Sequence, residues 1–327
     1  MQALLRSGAR LWRSLAGEDT RLERVLRRRR RALRSALERK HVGENFVLFW
    51  SRPRGTDRVG IYIKGSCDLV SVFSCQPMIH PVLNGTCCIL REGFVADSRS
   101  DLLLQTLRGL PGDWVQPVVD RLKLPADYFQ PRLFAPSMTV PGLHRAEEFP
   151  KTVILLSIGA DVLRTVYQHR EHGFLVDPGG WWQANTVTAA LTDLSTARWF
   201  RENFVSVGRI SLDAFRDNFA RIIKLLKQSA SPHILVFNAL TVEPGSLTHT
   251  YQLVKEPLGI RHREFNLALV ELSRELDFSI VDMDRILKWA GVGSQVDFAH
   301  FPPDRYEPVA REVFRILADR GVFSRAR

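Results

Sequence analysis

Two residues near the C-terminus, Asp297 and His300, have the types and the spacing of a catalytic acid and base. A loop that turns across three residues can aim a carboxylate at one imidazole nitrogen, which fixes the tautomer and leaves the other nitrogen facing a nucleophile. A predicted helix over 307–317 follows the pair. The spacing alone therefore allows His300 to act as a base that Asp297 orients, and it does not assign these roles.

Three side chains are candidates for the nucleophile. Ser66 and Cys67 directly follow VGIYI (59–63), a β-branched and aromatic run that predicts a buried strand. Ser98 follows a shorter apolar run and precedes a predicted helix. A cysteine between the end of a strand and the start of a helix becomes nucleophilic when its pKa is lowered there. The residues alone leave the choice among the three open.

The elements that must position these residues are strands that alternate with helices. Because the strands are apolar throughout, we expect them to lie parallel in one sheet that helices cover on both faces. The predicted fold is α/β, a three-layer αβα sandwich with a mainly parallel central sheet. The predicted strands are 59–63, 152–158, 233–237 and 278–281, and the predicted helices are 102–107, 162–169, 211–226, 263–276 and 307–317.

Polar residues follow each predicted strand, at the edge where parallel sheets place their sites. Among them, Asp161 is expected to cap the helix predicted after 152–158. The residues at this edge are Ser66, Cys67, Gly159, Asp161, Asn238, Asp282 and Asp284.

The C-terminal half of the chain resembles the SGNH/GDSL hydrolases. The block Asp297-Phe298-Ala299-His300, the helix and strand predicted before it and the helix after it stand in the order of that family, and the resemblance extends over roughly 151–317. It implies a flavodoxin-like SGNH-hydrolase fold with a catalytic triad.

The same resemblance implies the other site residues. The family's nucleophilic serine stands in Gly-Asp-Ser after the first strand, where this chain has Gly65-Ser66-Cys67, so Cys67 holds the nucleophile position. Ser66 and Ser98 are the alternatives, the latter because Ala96-Asp97-Ser98 differs from Gly-Asp-Ser by one residue. Residues 157–161 fall on the family's Gly-x-Asn-Asp block, where the oxyanion hole is formed. No Asn stands there, so the backbone N–H of Gly159 is the expected donor.

Three regions depart from a simple alternation of strands and helices. Residues 109–150 contain seven prolines, which predicts irregular structure without a long element. Residues 171–208 are turn-rich and predict a lid or an insertion. Residues 20–41 combine an apolar helical period with an arginine run and predict a basic amphipathic helix. We therefore expect an N-terminal extension over 1–41 and a hydrolase-like domain over 42–327, with the insertion at about 171–208.

The net charge of +11 is concentrated in the N-terminal region. Residues 1–41 hold 13 Lys and Arg against four acids, whereas the rest of the chain holds 33 against 31. Nucleic-acid binding is therefore not expected, while residues 21–40 suit an anionic surface or an acidic partner. No apolar run is long enough for a transmembrane segment, and no secretory signal is recognised.

The four cysteines lie between 67 and 88, without a C-x-x-C pair or a histidine at metal-site spacing. We expect reduced thiols in a cytoplasmic protein and no metal site. Neither of the common phosphate-binding glycine motifs is present, so no cofactor is expected.

The resemblance implies hydrolysis of an ester, or acyl transfer, through an acyl-enzyme, with an ester of a carbohydrate or a small metabolite as substrate. A catalytically inactive binding module on the same scaffold is the alternative, because the nucleophile and oxyanion blocks both depart from the family pattern.

Overall fold

The computed structural model describes residues 37–42, 45–51, 56–65, 67–74, 85–91, 99–124, 128–129, 149–177, 193–241, 258–290 and 301–323. The strands are β1 (Leu37–Val42), β2 (Asn45–Ser51), β3 (Asp57–Lys64), β4 (Gly85–Arg91), β5 (Lys151–Ser157), β6 (Thr165–His169), β7 (Leu175–Val176), β8 (Phe204–Arg209), β9 (His233–Phe237) and β10 (Ser279–Val281). The helices are α1 (Cys67–Ser74), α2 (Ser100–Leu107), α3 (Gly112–Leu122), α4 (Gly159–Leu163), α5 (Leu194–Asn203), α6 (Leu212–Ala230), α7 (Leu258–Leu276), α8 (Met283–Ala290) and α9 (Glu307–Asp319), and a 3-10 helix spans Pro303–Arg305.

The central sheet has seven strands in the order β1-β2-β4-β3-β5-β9-β10. The five strands β4, β3, β5, β9 and β10 are parallel to one another. At the β4 edge, β2 pairs with β4 and β1 pairs with β2, both antiparallel. Numbered along the chain, the five parallel strands stand in the order 2-1-3-4-5, which is the doubly wound order of flavodoxin-like folds. The prediction that the strands near 59–63, 152–158, 233–237 and 278–281 lie parallel in one sheet is confirmed, since they are β3, β5, β9 and β10.

Helices cover both faces of the central sheet. On β3, Val59, Ile61 and Ile63 face a layer that contains α1, α8 and α9, and Tyr62 faces a layer that contains α2, α6 and α7. All four side chains are buried. Successive strand residues point to opposite faces, so a strand covered on both sides must be apolar throughout. The predicted three-layer αβα sandwich is confirmed.

A second sheet has the strand order β7-β6-β8, and its central strand β6 precedes the range 171–208 that was predicted as an insertion. Its strands are antiparallel. With α3 and α5 they enclose an apolar cluster that includes Leu122, Phe174 and Phe204 and is separate from the two clusters on the central sheet. The second sheet therefore has a small core of its own, and the insertion remains a prediction.

Two buried arginines join the second sheet to the central one. Arg99 Nη1 donates hydrogen bonds to the carbonyls of Arg164 (3.1 Å) and Gly208 (2.7 Å), and Arg261 donates to the carbonyl of Ile210 (2.6 Å). Both side chains are almost inaccessible to solvent. These guanidinium groups satisfy carbonyls at the end of the β6–β8 pair where β6 starts and β8 ends, so they fix that end of the second sheet to the body.

Two predictions about this part of the chain are wrong. The helix predicted over 162–169 ends at Leu163, and Thr165–His169 form β6, because pairing with β8 satisfies their backbone. The proline-rich stretch contains a regular element, α3, with Pro117 inside it. Its apolar face, which includes Val118 and Leu122, packs into the core of the second sheet, and this burial outweighs one lost backbone hydrogen bond.

The N-terminal helix predicted to reach residue 41 is also wrong at its end. Leu37–Val42 form β1, which pairs with β2 at the edge of the central sheet. The backbone hydrogen bonds of a sheet override a helical apolar period of this length. Residues 20–36 lie outside the described residues, so the separate N-terminal extension remains a proposal, and we place its end before Leu37.

Candidate active site

The carboxyl ends of β3 and β5 mark the point where the strand order of the central sheet reverses. From β3 the chain passes through α1 to β4 on one side, and it later returns to β5 on the other side. Doubly wound sheets bind ligands in the crevice outside such a pair of strands. Cys67 stands here as the first residue of α1, and Gly159 stands here as the first residue of α4.

Gly65 makes the close turn between β3 and α1. A Cβ atom on this residue would lie 2.3 Å from Leu69 Cδ1 and 2.8 Å from Ser157 Cβ, and Leu69 is fully buried. Neither neighbour has room to move, so only glycine fits. The backbone that leads to Cys67 is therefore held against the end of β5.

Helix α9 runs from the carboxyl edge of the sheet to its amino edge. Just beyond its end, Arg320 donates to Ser279 Oγ (3.2 Å), and the carbonyl of Val322 accepts from Lys151 Nζ (2.6 Å). Ser279 and Lys151 are the first residues of β10 and β5, so α9 ends at the amino edge. Its 13 residues extend about 20 Å, close to the ~23 Å of the seven-residue β5, so α9 begins near the carboxyl edge.

Helices α1 and α9 lie side by side on one face of the sheet. The rings of Phe73 and Phe314 meet edge to face with centroids 6.5 Å apart. Phe73 is about 9 Å along α1 from Cys67, and Phe314 is about 10 Å along α9 from Glu307. Both helices start at the carboxyl edge, so their first residues lie at about the same height above the contact.

The chain that leads into α9 is anchored by Phe301 and Tyr306. Both side chains are buried, and Tyr306 Oη accepts the backbone N–H of Phe301 at 3.1 Å. Their rings also meet edge to face, with centroids 6.3 Å apart. These contacts fix the residue that directly follows His300 in the sequence.

The predicted oxyanion donor lies at the end of β5. The N–H of Gly159 donates to Ser157 Oγ at 3.1 Å. This amide belongs to the first turn of α4, where N–H groups have no partner inside the helix. A side-chain hydroxyl thus occupies the amide that is expected to face the oxyanion.

Asp161 caps a helix, but a different one from the helix predicted. It lies within α4, and its Oδ1 accepts the backbone N–H of Ser100 (2.9 Å) and the Ser100 hydroxyl (2.5 Å). Ser100 is the first residue of α2, so the carboxylate satisfies the start of a helix 61 residues earlier in the chain. Asn218 of α6 also donates to Ser100 Oγ, at 3.3 Å.

Burial raises the pKa of Asp161 to about 6. The hydrogen bonds from Ser100 act against this shift, the charge of Asp101 acts with it, and the charge of Lys64 acts against it. Lys64 is itself buried at the end of β3. A cavity of about 10 Å³ is bordered by Lys64, Ser100, Ser157 and Asp161, and it has room for one water molecule at most. The switch point is therefore polar beneath the surface and tightly packed.

The ends of β9 and β10 are tied together by a second polar network. Asn238 Nδ2 donates to Asp282 Oδ1 (2.8 Å), and Asn238 Oδ1 accepts the backbone N–H of Asp284 (3.1 Å). Asp284 also accepts from the backbone N–H of Thr241 (2.7 Å) and forms an ion pair with Lys288 (2.6 Å). These contacts account structurally for the polar residues predicted after the last two strands.

Among the predicted site residues, Cys67 and Gly159 follow the carboxyl ends of the neighbouring strands β3 and β5. Ser66, Ser98, Asp297 and His300 lie outside the described residues, so their roles remain predictions. Sequence reasoning missed Lys64, Ser100 and Asn218. The available signal was a lysine at the end of an apolar strand and a serine at the start of a predicted helix.

Two further findings concern the described residues alone. No group of His, Cys, Asp or Glu among them has the geometry of a metal site. No helix in this part of the chain is long and apolar enough to cross a membrane.

Cys87 on β4 is fully buried, and burial raises the pKa of its thiol well above the ordinary value, which makes it a poor nucleophile.

No protein-family model and no curated protein matches the sequence. Among solved structures, the chain is similar to the acetylxylan esterase Axe2 from Geobacillus stearothermophilus, with 12% identity, a TM-score of 0.38 and coverage of 81% of this chain and 95% of that one. It is also similar to a lipase/acylhydrolase from Enterococcus faecalis, with 11% identity, a TM-score of 0.38 and coverage of 83% and 99%. A GDSL-like lipase from Parabacteroides merdae shows 10% identity, a TM-score of 0.36 and coverage of 83% and 99%. Because these TM-scores are below 0.5, we infer the activity from the strand order and the site of this chain.

Proposed function

We propose that the chain is a hydrolase of the SGNH/GDSL type that cleaves a carboxylic ester through a covalent acyl-enzyme. The observation that supports this most is the shared start of α1 and α9 at the carboxyl edge, beside the switch point of the sheet. Cys67 begins the first of these helices, and His300 directly precedes the anchored Phe301 before the second. A nucleophile and a base delivered to one edge are what such a reaction requires.

The proposed reaction has two halves. In the first, the Cys67 thiolate attacks the ester carbonyl carbon, and His300 transfers the thiol proton to the leaving alcohol as the carbon–oxygen bond breaks. In the second, His300 takes a proton from water as the oxygen attacks the thioester carbonyl, the carbon–sulfur bond breaks, the carboxylic acid is released, and His300 returns the proton to the Cys67 thiolate. Asp297 holds the imidazole in the tautomer that both halves need.

Two features of the described residues favour this assignment of roles. Cys67 is the first residue of α1, and the partial positive charge of a helix N-terminus favours the thiolate form of a cysteine. The amide of Gly159 stands across the switch point at the end of β5, where it can donate to the oxyanion in place of its bond to Ser157. Ser66 and Ser98 are retained as alternative nucleophiles. Acyl transfer differs only in the acceptor that replaces water.

Hydrolysis of p-nitrophenyl acetate by the full chain and its variants tests the proposal. We expect His300→Ala to lower kcat/KM by about 10²–10⁴-fold, as the loss of a general base does. We expect Cys67→Ala to abolish hydrolysis, with Ser66→Ala and Ser98→Ala as the matched alternatives and Cys87→Ala as the thiol control. Wild-type activity in both the Cys67 and His300 variants would refute the assignment. Absence of activity on short, long and sugar esters alike would favour the inactive binding module.

A further inference from the structure

A groove lies between α8 and the start of α9. Its volume is about 450 Å³, within the ~300–1,000 Å³ of small-molecule sites. One wall belongs to α8, and the other belongs to the 3-10 helix Pro303–Arg305 and the first turn of α9. In the sequence, residues 291–300 with Asp297 and His300 connect the two walls. The groove's lining residues are Arg285, Ile286, Trp289, Asp304, Arg305 and Pro308.

The apolar part of this groove is built around an exposed tryptophan. Trp289 is 90% exposed, which is unusual for the largest apolar side chain, and Ile286 and Pro308 lie beside it. Ile286 is partly buried against the core, so this part of the groove is anchored to the body. The exposed indole of Trp289 offers a flat π face to a ligand.

The polar part of the groove contains a donor in need of an acceptor. The Nε atom of Arg305 is buried and donates no hydrogen bond to any of the described residues. The nearest carboxylate oxygen, Asp304 Oδ2, lies 3.6 Å away, beyond hydrogen-bond distance. Buried donors are almost always satisfied, so an acceptor from a ligand or a water belongs at this position.

We propose that this groove binds a neutral sugar ring, the carbohydrate part of the ester substrate. The ring stacks its C–H face on Trp289, a hydroxyl oxygen accepts from Arg305 Nε, and hydroxyl groups donate to the Asp304 carboxylate. An acyl chain fits less well, because it has nothing to accept from Arg305 or to donate to Asp304. The contribution of the groove to turnover rests on the proposed ester hydrolysis, whereas sugar binding does not.

Calorimetric titration of the full chain with cellohexaose, xylohexaose and chitohexaose tests the proposal, with octanoate as the acyl-chain probe. We expect at least one sugar to bind, Trp289→Ala to weaken it at least tenfold, and Arg305→Lys, which keeps the charge and removes Nε, to weaken it several-fold. Leu267→Ala, at a 64% exposed position on the opposite layer, and Arg311→Lys on α9 are the matched controls. Failure of all three sugars to bind, equal binding by Trp289→Ala, or binding of octanoate alone would overturn the proposal.

The two proposals fail separately. Leu267→Ala, which changes neither the proposed catalytic residues nor the groove, should hydrolyse p-nitrophenyl acetate at the wild-type rate. Trp289-dependent sugar binding in a chain without esterase activity would uphold the groove and refute the proposed function. Esterase activity without sugar binding would uphold the proposed function and refute the groove as a sugar site. Circular dichroism of each variant verifies its fold, which the exposure of Trp289 should leave intact.

Discussion

The protonation of Asp161 should make the stability of the protein depend on pH in an unusual direction. The pKa of the buried Asp161 carboxyl is about 6 in the folded state and 3.8 in the unfolded state. The folded state therefore binds the proton more tightly. The contribution of Asp161 to the free energy of unfolding is therefore fully present below pH 3.8 and is lost as the pH rises to about 6. The shift of about two pKa units corresponds to about 3 kcal/mol.

The assay is urea denaturation of wild type and Asp161→Asn at pH 4, 5, 6 and 7. Other carboxyls act in the opposite direction, since the hydrogen bonds from Arg315 lower the pKa of Glu312, so the difference between the two proteins is the quantity to follow. Asn keeps an oxygen that can accept from Ser100, and it does not titrate. We expect the free energy of unfolding of wild type, relative to that of Asp161→Asn, to increase by up to about 3 kcal/mol as the pH is lowered from 7 to 4. If wild type does not gain stability relative to Asp161→Asn at low pH, or gains it towards pH 7, then the pKa of Asp161 is not raised by burial.

Three further predictions concern the elements that position the site, and each is measured as a free energy of unfolding. Gly65→Ala should cost about 1–3 kcal/mol or more, because the added methyl overlaps Leu69 and Ser157, and a loss under 0.5 kcal/mol would contradict the close turn. Ser211→Ala should cost about 1 kcal/mol, because its hydroxyl caps α6 by accepting from Ala214, and Ser195→Ala on the exposed start of α5 is the comparison. Tyr306→Phe should cost about 1–3 kcal/mol and also lower the rate of ester hydrolysis, because it leaves the N–H of Phe301 buried without its acceptor. A Tyr306→Phe variant with an unchanged rate would show that this anchor does not position the loop.

Much of the central sheet could be predicted from the sequence because burial on both faces leaves a simple pattern. The runs that became β3, β5, β9 and β10 have apolar residues on both faces and lack the polar–apolar alternation of a half-buried strand, and helical periods separate them. Serine is a preferred N-cap residue, so Ser211 predicted the start of α6, and its hydroxyl caps that helix in the structure. These features are local, so a single sequence contains them.

The missed elements depend on pairing with distant parts of the chain. Leu37 continues the helical apolar period that begins at Leu22, yet Leu37–Val42 form a strand because β2 lies beside them. Thr165–His169 likewise become β6 through pairing with β8, some 40 residues later. Partners of this kind are set by tertiary structure, and no local period reveals them.

The contacts around the candidate site could be predicted only in part. The rule that parallel sheets place sites at their carboxyl ends predicted that Cys67 and Gly159 follow neighbouring strands, and the structure has them as the first residues of α1 and α4. The link between Asp161 and Ser100 was not foreseen, because it joins residues 61 positions apart through a carboxylate that the sequence presents only as a local cap. Sequence spacing shows which chemistry is present, and the packing decides which groups meet.

The central claim is that acyl transfer passes through Cys67, with His300 as the base. The most direct measurement is intact mass spectrometry of the full chain, quenched during turnover of p-nitrophenyl acetate, followed by peptide mapping of the adduct. The account predicts one acetyl group on Cys67, formed about 10²–10⁴-fold more slowly in His300→Ala and absent in Cys67→Ala. An acetyl group on Ser66 or Ser98 would contradict the assignment of Cys67 and make that serine the nucleophile. No adduct during measurable turnover, or an adduct on a residue away from that edge, would contradict the account.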